Sequence, residues 1–335
     1  MSCNKIYLTN FLAMAIELEQ AELLARVAHL YFDEGEDQNA IARRLRVSRS
    51  SVSRLLSQAR REGIVEIRIH YPLPLAQALG DALCERFGVK EALVLRSSET
   101  EMSERRRQVA RLAARYLEER IAPGVVVGIS RGGTLQAVVE EFGTLSRRDV
   151  RVVQLVGILH VARAKEDEGN LARALARKLG GEYYNLTAPL FVKNVETRTA
   201  LMQEPAIRQV LNLARDAQLA VVGIGALERQ SSAIVRQRLL TATQLAQLRK
   251  SNAVGEICSQ YFDCQGRLIL RELSERTIAL DLNALRAIPR VIGVATGAYK
   301  AKAIQGALRG GFINVLITDD ETAQAVLNLD HVQKT

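Results

Sequence analysis

The chain has 335 residues, enough for two or three domains and a large core. Its 48 % hydrophobic and 25 % charged content is that of a soluble globular protein, and no apolar run reaches the ~18 residues that a membrane helix needs. A net charge of +9 favours a polyanionic partner, and four scattered cysteines (Cys3, Cys84, Cys258, Cys264), with no CxxC and no neighbouring His pair, suit reduced thiols in the cytoplasm rather than a zinc site or a disulfide frame.

In chain order, the first 15 residues carry one Lys and an apolar stretch with an AxA-like end, a weak likeness to a secretion signal. Thr9 and Asn10 interrupt the stretch. A short frayed or helical extension, with the natural start possible at Met14, is the expectation. Residues 17–35 read as a helix with Leu23, Leu24, Val27, Leu30 and Tyr31 on one side and Gly35 as its stop. A second helix over 38–45 places Ile41, Ala42 and Leu45 on one face. Val47 is expected to pack in the turn, and Ser48 to cap the next helix. In that third helix Val52, Leu55, Leu56 and Ala59 form a buried stripe.

The opposite face of the third helix carries Arg49, Ser50, Ser53, Arg54 and Ser57. Arg suits guanine O6/N7, and short hydroxyls suit bases or phosphates. Residues 38–68 carry eight Arg and two acids, whereas residues 17–37 carry one Arg and seven acids. Positive charge therefore concentrates on the half expected to meet DNA. The candidate DNA contacts are Arg43, Arg44, Ser48, Arg49, Ser50, Ser53 and Arg54, with Arg43 and Arg44 on phosphates. The competing reading is an ordinary helical hairpin with a solvated face. A DNA reader directly behind the first 15 residues makes their use as a secretion signal implausible. Residues 64–69 alternate as a short wing or exit strand. Residues 1–70 are thus a winged helix-turn-helix domain, and Tyr71-Pro72-Leu73-Pro74 is the linker.

From residue 75 to 335, apolar runs at 92–95, 125–130, 150–157, 219–225, 290–296 and 314–318 alternate with helical patterns at 75–87, 102–121, 133–142, 169–180, 205–216, 299–309 and 320–328. That is an α/β domain with a doubly wound, mostly parallel sheet and a crevice at the carboxyl ends of its strands. Residues 256–263 and 267–270, split by Cys264-Gln265-Gly266, read as an inserted hairpin.

Two loops between a strand and a helix stand out. Gly128-Ile129-Ser130-Arg131-Gly132-Gly133-Thr134 combines small residues, two hydroxyls and a helix start, all suited to an anion. Thr296-Gly297-Ala298-Tyr299-Lys300 adds a cation. Each is alternatively a tight turn that merely needs Gly. The first loop also matches G-x-S-x-G, and a hydrolase would recruit Ser130 with Asp263 or Asp319 and His331; the pattern is short, and His331 lies at the chain end. Asp263 and Asp281 are candidates for sugar hydroxyls, Asp319-Asp320-Glu321 for an acidic first helical turn, Asn170 for a cap, and Arg173 for a weak ligand contact.

These stretches together resemble the SorC family of bacterial sugar-responsive transcriptional regulators. The resemblance runs through VSRSSVSRLLSQARREGIVEIRI (47–69), VVVGISRGGTL (125–135), GNLARALARKLGGEYYNLTAP (169–189), AVVGIGAL (220–227), GEICSQYFDCQG (255–266) and residues 291–323. It implies an N-terminal DNA-binding domain and an effector domain related to sugar-phosphate isomerases and deaminases. That domain would bind a carbohydrate, commonly phosphorylated, and assemble into dimers or tetramers. It also implies ligand contacts in the loop at 130–134, at Asp263 and at Lys300. The chain departs from the family pattern at Arg131, where Trp is common, at Glu256, where Asp is common, and at Thr296, where Gly is common.

The expectation is therefore a regulator and not an enzyme, with no catalytic residue, metal or cofactor. Its partners would be operator DNA and a carbohydrate or sugar-phosphate effector held by Ser130, Gly132, Gly133, Thr134, Asp263, Thr296, Gly297 and Lys300. The alternative is a sugar-phosphate isomerase or deaminase with an accessory DNA reader, which would need a base at the substrate carbon. Paired readers on one face of DNA lie roughly 34 Å apart. No long heptad repeat supplies that pairing, so residues 75–335 are expected to form the homo-oligomer.

Overall fold

The computed structural model describes residues 19–65, 73–145, 149–159, 170–227, 247, 250–269 and 271–329. The chain divides into two compact units, Met1–Pro72 and Leu73–Thr335.

Among the described residues the first unit holds three helices: α1 over 19–32, α2 Gln38–Leu45 and α3 Arg49–Arg61. Leu24, Val27, Ala28 and Leu30 of α1 close on Ile41 and Ala42 of α2 and on Val52, Leu56 and Ala59 of α3. Both caps follow from side-chain chemistry. Asp37 accepts from the N–H groups of Asn39 and Ala40, and Ser48 accepts from that of Ser51. Two expectations fail in detail. Leu23 and Val47 are each 41 % exposed, and in the turn it is Arg46, not Val47, that adopts the left-handed backbone, at φ 56°. Of the expected wing strand at 64–69, residues 66–69 lie outside the described residues.

The second unit is built on a seven-stranded, wholly parallel sheet: β1 Glu91–Leu95, β2 Val126–Ile129, β3 Arg151–Gln154, β4 Glu182–Tyr184, β5 Leu219–Gly223, β10 Arg290–Val294 and β11 Val315–Asp319. Their order is β1-β11-β10-β5-β2-β3-β4. Strands of Val, Ile and Leu are buried on both sides, as a parallel sheet with two helical layers requires. Val127, Ile129, Val221, Ile292 and Ile317 face the helices Met102–Arg120, Gly133–Glu141 and Leu171–Leu179. Val126, Ala220, Val222, Val291 and Leu316 face the layer of Gln77–Phe87, Pro205–Arg215, Leu282–Ala287, Ala301–Arg309 and Asp320–Asn328.

From β2 the chain winds outward through β3 and β4; from β5 it winds the other way through β10 and β11. The two directions part between β2 and β5, and a crevice opens at such a switch point, beyond the carboxyl ends of the strands.

A second, four-stranded antiparallel sheet orders β6 (Gly225–Ala226), β7 (Gly255–Ile257), β8 (Gln260–Phe262) and β9 (Leu268–Ile269). The stretch expected as one strand over 256–263 is thus itself a hairpin. Its turn is Cys258-Ser259, both left-handed at φ 51° and 59°. Non-glycine residues seldom adopt that conformation, so turn composition did not reveal it. Leu73-Pro74, the end of the expected linker, belongs to this unit, since the Pro74 carbonyl accepts from Arg96 N–H and the following Leu75 bridges Leu95.

Candidate functional site

β2 and β10 are separated only by β5, so the loops that follow them open side by side at the carboxyl edge of the sheet. After β2, Ser130 is buried and its Oγ lies 3.4 Å from the Gly223 N–H of β5. Gly132 takes φ 130° and occupies the cap position of helix Gly133–Glu141. With no side chain at the cap, the first-turn N–H groups are left for an anion, and Thr134 adds a buried hydroxyl there.

After β10, Thr296 is buried and Gly297 takes φ 107°. Ala298–Lys300 forms a 3₁₀ turn that delivers Lys300 to the start of helix Ala301–Arg309. The structure therefore brings Ser130, Gly132, Gly133 and Thr134 to the crevice edge beside Thr296, Gly297 and Lys300.

A carboxylate that the sequence reading did not select joins them. Glu256 on β7 pairs with Gly225, and a Cβ at Gly225 would sit 2.4 Å from its Oε1, so only glycine leaves room for it. Its other oxygen accepts from the Ser259 N–H at 2.9 Å, which also holds the strained turn. Burial pushes the Glu256 carboxyl above its ordinary range, against the pull of the Ser259 N–H and the charges of Arg131 and Lys300. Arg131 is itself desolvated, which lowers its affinity for a proton, and Glu256 opposes that shift. The charges of two cations thus act on one half-buried carboxylate. The signal was present in the sequence: an acid inside GEICSQYF, a run otherwise suited to burial, must have a polar reason to be there.

Asp263 is engaged within its own turn. It sits in the β8–β9 turn, where its carboxylate accepts from the N–H groups of Gln265 and Arg267 and from Arg267 Nε at 2.8 Å. Burial raises the affinity of its carboxyl for a proton, but these donors outweigh that and hold it below the usual range. The Asp263 carbonyl packs where a Cβ on Gly306 would fall. Gly306 is six residues along the helix from Lys300, or about 9 Å at the α-helical rise.

Other singled-out residues have local roles. Asp281 caps helix Leu282–Ala287, Asn170 caps Leu171–Leu179, and Arg173 is exposed. Of the hydrolase set, Asp263 is committed to its turn and Asp319 to capping helix Asp320–Asn328, while His331 lies outside the described residues.

In the first unit, the outer face of α3 presents Arg49, Ser50, Ser53 and Arg54 to solvent. Ser48 Oγ is shared among the Ser51 N–H and the hydroxyls of Ser50 and Ser51. Arg43 is exposed. Arg44 instead pairs with Glu36 and, at 3.3 Å, with Glu34, which reduces its availability to a phosphate.

Among the described residues no group of three His, Cys, Asp or Glu side chains could hold a metal, and no helix is long and apolar enough to cross a membrane.

Residues 73–328 match the family profile of a sugar-binding domain. The chain is 31 % identical over 313 residues to the deoxyribonucleoside regulator of Bacillus subtilis, covering 93 % of this chain and 99 % of that one. It is 32 % identical over 317 residues to the transcriptional regulator LsrR of Klebsiella pneumoniae, covering 94 % and 95 %. The crystal structure of the full-length sorbitol operon regulator SorC from Klebsiella pneumoniae superposes with a TM-score of 0.69 at 29 % identity, covering 92 % of this chain and 99 % of that one.

Proposed function

Because the chain belongs to the SorC family of sugar-responsive transcriptional regulators, we propose that its effector is a hydroxylated, singly phosphorylated carbohydrate bound at the carboxyl ends of β2, β5 and β10. The observation that carries this reading is the charge set around Glu256. Two cations and an uncapped helix start favour an anion, while a half-buried, desolvated carboxylate near them calls for a hydrogen-bond donor such as a sugar hydroxyl. Ser130, Gly132, Gly133, Thr134 and Lys300 hold the anionic group, Thr296 and Gly297 shape the loop that presents Lys300, and Glu256 takes the hydroxyl-binding role expected of Asp263.

The reader is the unit that ends at Pro72. Arg49, Ser50, Ser53 and Arg54 contact bases and nearby phosphates, and Arg43 contacts phosphate. The effector unit, 75–335, forms a dimer or tetramer that sets the spacing of two readers in the cytoplasm. Ligand changes operator affinity only through its differential affinity for the two arrangements.

The test is a thermal-shift panel of sugars, polyols and their phosphates on the full-length protein, because a ligand of the native state raises stability by RT ln(1 + [L]/Kd). Phosphorylated sugars should raise Tm, and Lys300→Ala should abolish that shift while operator binding persists. Stabilisation by neutral sugars alone, undiminished in Lys300→Ala, would remove the proposal.

A further inference from the structure

Gly297 has a backbone conformation that its own strand and helix do not enforce. At φ 107° and ψ 122° it lies where only glycine is comfortable, between the end of β10 and a 3₁₀ turn. What holds it comes from the next strand. Asp319, the last residue of β11, is 0 % exposed, as is Thr322 one turn further on. Asp319 Oδ1 accepts from the Thr322 N–H at 2.9 Å, the ordinary bond of a helix cap. Its Oδ2 accepts from Thr322 Oγ1 at 2.6 Å and from Thr296 Oγ1 at 2.5 Å.

A hydroxyl has one proton to give. Thr322 spends it on Asp319, so the lone pairs of Thr322 Oγ1 are left to accept, and the Gly297 N–H donates to them at 2.7 Å. Arg105, 9 % exposed on helix Met102–Arg120, closes the chain from the other side: Nη1 lies 3.7 Å from Asp319 Oδ1 and also pairs with Glu321, and Nε donates to the Glu99 carbonyl at 3.0 Å. A buried carboxylate thereby has hydrogen bonds to both oxygens and a cation beside it, and its position is handed through one hydroxyl to one loop amide.

We propose that Thr322 and Asp319 are positioning residues that latch the loop at 296–300 in its ligand-ready conformation. The latch rests on the reading of that loop as part of the effector site. It fixes the turn that presents Lys300, because the Lys300 N–H donates back to the Gly297 carbonyl at 2.9 Å. Neither residue touches the ligand. They act by removing alternative backbone states that binding would otherwise have to suppress.

The test compares Thr322→Val, which keeps shape and loses the hydroxyl, with Thr322→Ser, which keeps the hydroxyl, in full-length protein. Amide hydrogen exchange is read at Gly297, with the β5 amides of the sheet centre as the reference. In Thr322→Val, exchange at Gly297 should accelerate about tenfold or more, with β5 unchanged, and Thr322→Ser should restore wild-type protection. Unchanged exchange at Gly297, equal loosening by both variants, or parallel loosening of β5 each overturns the latch. Should Thr322→Val not fold, the wild type decides: a Gly297 amide as fast as an unbonded loop amide overturns the proposal, and a protected one supports it.

A second arm titrates inorganic phosphate and follows protection of residues 296–300. The midpoint should rise about tenfold in Thr322→Val, matching the exchange effect, and equal midpoints overturn the positioning role. A wild type indifferent to phosphate counts against the effector reading instead, and the exchange comparison still judges the latch.

Discussion

The two loops at the crevice look alike as sequence and are held in different ways. The one after β2 depends on backbone. Gly132 supplies a conformation closed to other residues, and the side-chain tie from Ser130 Oγ to Gly223 N–H spans 3.4 Å, at the outer limit of a hydrogen bond. The loop after β10 is clamped by a buried network in which Asp319 receives bonds of 2.5–2.9 Å from Thr296 and Thr322. The difference teaches that similar glycine-rich turns can be organised from within or from a neighbouring strand, and only the second kind has distant positions on which its shape depends.

The largest break in that comparison is expected from Asp319→Ala. It removes a helix cap, leaves two buried hydroxyls without their acceptor and takes a carboxylate from Arg105. A cost of about 3 kcal/mol should appear as a lower midpoint in urea unfolding. A cost under about 1 kcal/mol would mean that the network contributes little.

The glycines come next. Gly132→Ala meets nothing within 4 Å, so its cost is backbone strain alone, of order 1–3 kcal/mol. Gly297→Ala incurs the same strain and also drives the Tyr299 ring, 2.5 Å from the added Cβ, out of place. Gly297→Ala should therefore be the more destabilising of the two in the same unfolding assay, and the reverse order would show that the Tyr299 ring moves freely.

Glu256→Gln should act in the other direction. Because burial raises its folded carboxyl above the ordinary value of 4.5, the wild type loses stability as pH rises through that raised value, and glutamine does not. The variant should melt a few degrees higher near pH 8, and the gain should vanish as pH falls below about 4.5, where both side chains are neutral. A pH-independent difference would show that the carboxyl is not desolvated. The smallest effect belongs to Ser130→Ala, about 0.5 kcal/mol or less, because the bond it deletes is long; a loss above about 1.5 kcal/mol would mean that the first loop is clamped as firmly as the second.

At the reader, the comparison is between Arg43 and Arg44. Arg44 is drawn to Glu34 and Glu36 on its own unit, so Arg43→Ala should reduce the salt dependence of operator binding more than Arg44→Ala does. Mobility-shift titrations at two salt concentrations measure this.

The sequence by itself determined the elements that repeat a period. The buried stripe of α3, the Ser48 cap, the six apolar strands and the helices over 102–120, 133–141 and 205–215 were all legible, because side chains facing a core must recur every 3.6 residues and strands buried on both faces must be apolar throughout. It also determined which two loops carry glycine, hydroxyl and lysine at strand ends. Short or exposed elements were not legible. β4 is three residues with Glu182 and Tyr183 exposed, and helix Val195–Gln203 buries no residue fully, so neither leaves a pattern.

Tertiary structure alone decided the partners of the carboxylates. Asp263, Glu256 and Asp319 are all acids at the ends or edges of apolar runs, and composition ranks Asp263 no lower than the others. Asp263 turned to its own turn because Arg267 and two backbone N–H groups lie within reach. Glu256 has room for its carboxylate because Gly225 on a neighbouring strand has no side chain, and there it feels the charges of Arg131 and Lys300. Asp319 reaches Thr296 because β10 and β11 are adjacent, though 23 residues separate the two in sequence. Periodicity is a local property of the chain. The acceptor that a buried donor finds depends on which strands become neighbours, and that is settled only when the sheet assembles.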